Sequence, residues 1–194
     1  MKKLLVVGNK TSQSLSPIIF NYWFKKYKIN ANYSFLELNN KNFEKKIKDV
    51  LKDERLCGFN VTIPFKQKIM KNINVLDKHT KKINAVNCVS IKPKIKGFNT
   101  DWQGYYKTIP NREKLKNKKT LLIGYGGAAL AIHYVLTSKG FKNITILNRS
   151  KKKIRFEKKT TYTKKIEEIE KYLQDADFII NTIPKNPISK KNKK

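Results

Sequence analysis

Gly124-Tyr125-Gly126-Gly127-Ala128-Ala129 follows the spacing G-x-G-x-x-[G/A], between the apolar run Thr120-Leu121-Leu122-Ile123 and an Ala-rich helical segment. In that setting Gly124 permits a tight turn, Gly126 lets a pyrophosphate approach the backbone, and Ala129 keeps helix and sheet close. Gly127 and Ala128 open the helix, whose unsatisfied N–H groups face the phosphates. The next apolar run, Ile144 to Leu147, ends at Asn148-Arg149-Ser150, where a fold that prefers NAD carries an acidic residue. An arginine there suits the 2′-phosphate of NADP through its planar fork and permanent charge, so NADP is the expected cofactor. Lys151, Lys152 and Lys153 either reinforce that preference or are ordinary solvated lysines.

A second set of polar residues stands earlier in the chain. Ser14-Leu15-Ser16-Pro17 puts two hydroxyls on a loop entering a helix, which suits an anionic oxygen and equally suits plain helix capping. Asn60-Val61-Thr62-Ile63-Pro64-Phe65-Lys66 places polar groups at the end of an apolar strand, where open α/β sheets bind ligands. Ile83-Asn84-Ala85-Val86-Asn87 and Gly97-Phe98-Asn99-Thr100-Asp101 complete the set.

Short apolar strands alternate with helical segments, the pattern of α/β units with a mostly parallel sheet. Strands are expected at Lys3–Gly8, Tyr33–Leu38, Cys57–Ile63, Asn87–Ile91 and Ile95–Phe98. Helices are expected from Ser16 to about Lys28, burying Ile18, Trp23 and Phe24, then at Asn42–Leu51, from Pro64, and at Thr80–Val86. The second block predicts strands at Thr120–Ile123, Ile144–Leu147, Tyr162 and Phe178–Thr182, and helices at about Gly127–Ser138, with Gly140 as its C-cap, and at Lys164–Leu173. Pro110-Asn111-Arg112 and the lysines of 114–119 interrupt any apolar pattern between the blocks. The organisation expected is a first α/β domain over 1–101, a connecting helix and linker over 102–118, a nucleotide-binding domain over 119–188, and a basic tail over 189–194.

Composition narrows the partners. The 194 residues include 44 Lys+Arg and 14 Asp+Glu, a formal net charge of +30, yet 39% are hydrophobic, enough to form a core. The lysines are spread over nearly every segment, without a stripe of interleaved aromatics, so specific nucleic-acid binding is not expected. Small anionic ligands are favoured instead. Cys57 and Cys88, His79 and His133 are too isolated for a metal site or a disulfide framework, and a reducing cytoplasm is the expected compartment. No apolar run approaches the roughly 20 residues of a membrane span. The N-terminal Lys2-Lys3-Leu4-Leu5-Val6-Val7-Gly8 reads as a buried strand and not a signal peptide.

The ordered motifs S-L-S-P, N-V-T-I-P-F-K, I-N-A-V-N, N-T-D, G-Y-G-G-A-A and N-R-S strongly resemble the shikimate dehydrogenase family across residues 4–184. The resemblance implies a substrate domain followed by a Rossmann-like NADP domain that is incomplete, an active site in the cleft between them, and NADPH-dependent reduction of 3-dehydroshikimate to shikimate. It implies that Ser14 and Ser16 hold the substrate carboxylate and that Thr62, Asn87 and Asp101 bind ring hydroxyls. It implies too that Lys66 pairs with Asp101 in catalysis and that Gly124, Gly126, Gly127, Ala128, Asn148, Arg149 and Ser150 bind the cofactor. A quinate/shikimate dehydrogenase using NAD, or a non-catalytic remnant that binds ligand only, are the alternatives. No membrane partner is expected, and the chain is expected to be a monomer or homodimer.

The sequence departs from the family at Phe20, where histidine is common, at Cys88, where threonine is usual, and at Trp102, where glycine follows the aspartate. After Asn181-Thr182-Ile183-Pro184 the expected L-G-M is replaced by Lys185-Asn186-Pro187 and the chain soon stops. A nucleotide sheet of about four strands leaves an unpaired edge, so low stability or oligomerisation is expected.

Overall fold

The computed structural model describes residues 1–110, 112–156 and 159–183. The expected basic tail over 189–194 and the segment from Pro184 onward lie outside the described residues. The chain divides into two compact units, Met1–Thr100 and Asp101–Lys194.

The first unit runs β1 (Lys2–Gly8), α1 (Ser16–Lys26), β2 (Ala31–Glu37), α2 (Phe43–Leu51), β3 (Leu56–Val61), β4 (Val75–Leu76), α3 (Lys78–Ile83), β5 (Cys88–Ser90) and β6 (Lys96–Phe98). Its six-stranded sheet has the order β2-β1-β3-β5-β6-β4. β1 is parallel to both neighbours, in register Val7↔Leu36 and Val7↔Val61, whereas β5 runs antiparallel to β3 and β6. Apolar residues four apart explain α2: Phe43 and Ile47 are fully buried and pack with Leu5, Val7, Leu56, Phe59 and Phe65 into one core. Such burial stabilises by about 1.5–3 kcal/mol per large side chain. Asp77 caps α3 through its carboxylate, which accepts from the N–H groups of His79 at 2.8 Å and Thr80 at 3.1 Å.

The second unit runs α4 (Asp101–Thr108), α5 (Arg112–Leu115), β7 (Lys119–Ile123), α6 (Gly127–Ser138), β8 (Asn143–Asn148), β9 (Lys153–Phe156), β10 (Lys159–Tyr162), β11 (Lys164–Lys165), α7 (Ile169–Leu173) and β12 (Phe178–Asn181). Its four-stranded sheet, β11-β8-β7-β12, is parallel throughout. That is the strand order 3-2-1-4 of a dinucleotide-binding sheet. Leu121, Ile123 and Leu147 pack against Ile169 on one side of it. Gly140, at φ +84°, ends α6 as expected, its N–H reaching Thr137 O and that of Phe141 reaching Leu136 O. Asp101 opens the second unit, whereas the sequence pattern placed it at the end of the first block.

Several expectations are corrected. No helix starts at Pro64; a 3-10 turn covers Lys68–Asn72, because the Lys66 carbonyl accepts from Val86 N–H at 2.7 Å instead of from a residue one helical turn later. The segment expected to be helical over Lys164–Leu173 begins with β11, drawn into the sheet by pairing Lys164↔Leu147, and becomes helical only afterwards. The helix expected over Thr80–Val86 starts at Lys78 and stops at Ile83, where Asn84 turns left-handed at φ 59°. Between β8 and β11 lies the antiparallel hairpin β9–β10. Finally, α1 has no buried residue: Ile18 and Trp23 are exposed and Phe24 is half-buried, because only the Phe20 and Asn21 side of the helix meets β2.

Candidate functional site

In the first unit five of the expected residues lie at one end of the sheet. Ser14 and Ser16 follow β1, half-buried, and Ser14 Oγ accepts from Ser16 N–H at 3.2 Å, which fixes the two hydroxyl-bearing residues in one loop. Thr62 follows β3 directly, its N–H bonded to Val7 O at 2.9 Å. Gly8 is required beside it, since a Cβ there would stand 2.3 Å from Thr62 Cγ2. Lys66 is half-buried in the turn after Thr62.

Asn87 precedes β5, which runs antiparallel to β3, so it too sits at the carboxyl end of β1 and β3. It is 9% exposed. Its Oδ1 accepts from Thr100 N–H at 2.8 Å and its Nδ2 donates to Thr100 Oγ1 at 2.9 Å. Its backbone carbonyl accepts from Val61 N–H at 2.9 Å and from Asn60 Nδ2 at 3.2 Å.

Asn60, for which its motif alone indicates no role, has one in the structure. Tyr33 Oη donates to Asn60 Oδ1 at 2.7 Å, orienting the amide that supports Asn87. Burial, with Cys88 nearby, pushes the Tyr33 phenol far above its usual range, so it remains a donor. Asn21 grips the Tyr33 backbone at both N and O, and Phe20 stacks on the Tyr33 ring at 4.6 Å between centroids. The sequence signal for Asn60 was a polar residue in an otherwise apolar strand; nothing local pointed to Tyr33. Cys88 is half-buried, and burial raises its thiol pKa.

Asp101, in the second unit, is half-buried at the first position of α4. The Trp102 indole beside it packs edge-on against Tyr134 of α6, with centroids 5.9 Å apart, which gives the bulky ring a place within its own unit.

The glycine turn joins β7 to α6. Gly124 has φ +95°, and a Cβ there would meet Thr182 Oγ1 at 2.5 Å and Ile183 Cγ2 at 2.7 Å, so both conformation and space demand glycine. Gly126 is exposed, with nothing within 4 Å of where its Cβ would be, and it is the N-cap of α6 with no side-chain cap. Gly127 and Ala128 follow at the open helix end, and Ala129 is fully buried. Open space at Gly126 and an uncapped 12-residue helix fit a dinucleotide pyrophosphate. At the end of β8, Asn148 Nδ2 donates to Ser150 O at 2.9 Å, which curls the loop so that Arg149 is exposed at the same end of the sheet as the glycine turn.

His133 lies inside α6, 8% exposed, with its ring against Tyr125 and its Nδ1 3.4 Å from Tyr125 Oη. Burial lowers its pKa to about 4 and raises that of Tyr125 to about 12, so both are neutral at pH 7. Among the described residues no three His, Cys, Asp or Glu side chains gather as a metal site, and no helix is long and apolar enough to cross a membrane.

The parallel sheet with its glycine turn, joined to a separate mixed α/β unit, defines the class of two-unit α/β proteins with a dinucleotide-type second unit. The model of the shikimate dehydrogenase substrate binding domain matches residues 6–89, and that of shikimate / quinate 5-dehydrogenase matches 107–193. A shikimate dehydrogenase (NADP(+)) of Oceanobacillus iheyensis is 35% identical over 188 residues, covering 92% of this chain and 68% of the relative. One from Caldicellulosiruptor bescii is 35% identical over 189 residues, covering 94% and 66%. The crystal structure of shikimate dehydrogenase from Thermotoga maritima superposes with a TM-score of 0.80 at 29% identity, covering 93% of this chain and 68% of that one. This chain belongs to the shikimate dehydrogenase family. It spans about two thirds of the length of the curated relatives it matches.

Proposed function

We propose that the chain catalyses the reversible reduction of 3-dehydroshikimate to shikimate with NADPH, a step toward chorismate and the aromatic amino acids. One observation carries this reading: Ser14, Ser16, Thr62, Lys66 and Asn87, drawn from three separate sequence segments, collect at one end of one sheet. In this reading 1–101 is the substrate domain, 102–118 the connector and 119–188 the cofactor domain. The relatives carry NADP(+) in their names, and the open turn at Gly126 supports a dinucleotide here.

Bound NADPH supplies the hydride. Ser14 and Ser16 donate hydroxyl hydrogens to the substrate carboxylate, which fixes the ring and the direction of its carbonyl. Thr62 and Asn87 take the ring hydroxyls, and Asp101 accepts from another. As the carbonyl is reduced its oxygen gains negative charge. The Lys66 ammonium stabilises that charge and gives the oxygen its proton, with Asp101 orienting the ammonium. Gly124, Gly126, Gly127 and Ala128 take the pyrophosphate, while Asn148, Arg149 and Ser150 take the adenosine end with its 2′-phosphate. We place the protein in the cytoplasm, as a monomer or homodimer.

The test is NADPH formation from shikimate and NADP by the purified chain beside Lys66→Ala. Activity that falls by at least about a hundredfold in the variant, with NADP affinity retained, is the expected result. A folded chain without activity, or equal loss of turnover and NADP binding in Lys66→Ala, overturns it.

A further inference from the structure

Three consecutive lysines follow Arg149-Ser150, and the sequence gives no reason to tell them apart. Their surroundings do. The Lys151 ammonium lies over the Tyr162 ring, 4.9 Å from its centroid, turned toward the β9–β10 hairpin. Lys153 is the first residue of β9 and pairs with Tyr162. Lys152 alone crosses to the neighbouring loop, where its Nζ donates to Tyr125 O at 3.2 Å, inside the glycine turn.

This reach is built from a buried anchor. Thr163, 3% exposed, accepts from Lys152 N–H at 2.9 Å through Oγ1, donates from Oγ1 to Ser150 O at 3.2 Å, and donates its own N–H to Lys152 O at 3.0 Å. Both sides of the loop after β8 are therefore held, and the backbone of Lys152 is fixed before its side chain extends. A lysine ammonium has three donors; one is spent on Tyr125 O, and two remain. They sit one residue from Gly126, the open position beside the uncapped N-terminus of α6. A cation held there meets the charge of a pyrophosphate. It stands apart from Arg149, the residue that the sequence assigns to the 2′-phosphate.

We propose that Lys152 is the cation of the pyrophosphate site, braced on the Tyr125 carbonyl and locked in place by Thr163. The proposal rests on the dinucleotide-binding part of the function proposed above. Because the pyrophosphate is common to NADP and NAD, Lys152 strengthens the binding of both equally, whereas Arg149 discriminates between them.

Calorimetric titration of the full chain with NADP and with NAD separates these roles, with melting temperature recorded for each variant. Lys152→Met is expected to weaken both ligands by a similar factor of about tenfold, and Lys151→Met and Lys153→Met to change neither by more than about twofold. Thr163→Val, which frees the Lys152 backbone, is expected to reproduce part of the loss. A Lys152→Met loss confined to NADP overturns the proposal, since it puts the lysine on the 2′-phosphate. Unchanged affinity for both ligands in a folded Lys152→Met also overturns it while leaving the cofactor reading intact. If the unmodified, folded chain binds neither dinucleotide, the cofactor reading falls and this proposal with it.

Discussion

The Asn87 side chain holds Thr100 at two points, with Oδ1 accepting the Thr100 N–H and Nδ2 donating to Thr100 Oγ1. This clamp fixes the orientation of an amide that meets the substrate in the proposed reaction. Thr100→Val keeps the shape and removes the hydroxyl. The expected outcome is a loss of about 1 kcal/mol in urea unfolding and about fivefold weaker shikimate binding by calorimetry, with NADP binding unaffected. Unchanged shikimate affinity would mean that the clamp does not orient a ligand group.

Gly124 and Gly126, in the turn between β7 and α6, separate stability from binding. Gly124→Ala forces a side chain onto φ +95° and against Thr182 and Ile183, and should cost about 1–3 kcal/mol from the backbone conformation alone. Gly126→Ala meets open space, so its melting temperature should match that of the unmodified chain while its NADP affinity drops about tenfold or more. Equal NADP affinity in Gly126→Ala would show that no ligand approaches that backbone.

Arg149 is exposed at the end of β8. Arg149→Ser should weaken NADP by roughly tenfold or more and leave NAD nearly unchanged, measured by titration with each. Parallel loss of both would remove the arginine from the 2′-phosphate.

Buried His133 makes the second unit acid-sensitive. Its pKa falls from 6.5 to about 4 on folding, through burial. The neutral ring is the folded form, so the full contribution is present above pH 6.5. It is lost as pH falls toward 4, where the unfolded chain binds a proton that the folded chain resists. The loss amounts to about 3 kcal/mol over that window. Urea midpoints between pH 7.5 and pH 4.5, about three pH units, should fall more steeply for the unmodified chain than for His133→Gln. Parallel slopes would show that His133 takes up its proton over the same pH range in the folded and the unfolded chain.

Local chemistry carried much of the organisation. Short apolar runs, alternating only in β2, placed β1, β2, β3, β7, β8 and β12 to within a few residues, because a strand buried on a sheet needs little beyond its own side chains to be recognised. Gly124 and Gly126 were legible for the same reason: a positive φ and an open backbone are properties of single positions. The sequence also determined the polar residues at the strand ends, from Ser14 to Asn87, and the charge that favours anionic ligands.

Tertiary structure decided what depends on partners distant in sequence. The turn at Lys66 is not helical because Val86, twenty residues on, takes its carbonyl. Lys164 enters a strand because Leu147 offers an edge. The role of Asn60 rests on Tyr33 and Asn87, and the difference among three adjacent lysines rests on Tyr125, Tyr162 and Thr163. Backbone and amide groups must be satisfied wherever the folded chain brings a donor and acceptor together, and periodicity holds no record of those meetings.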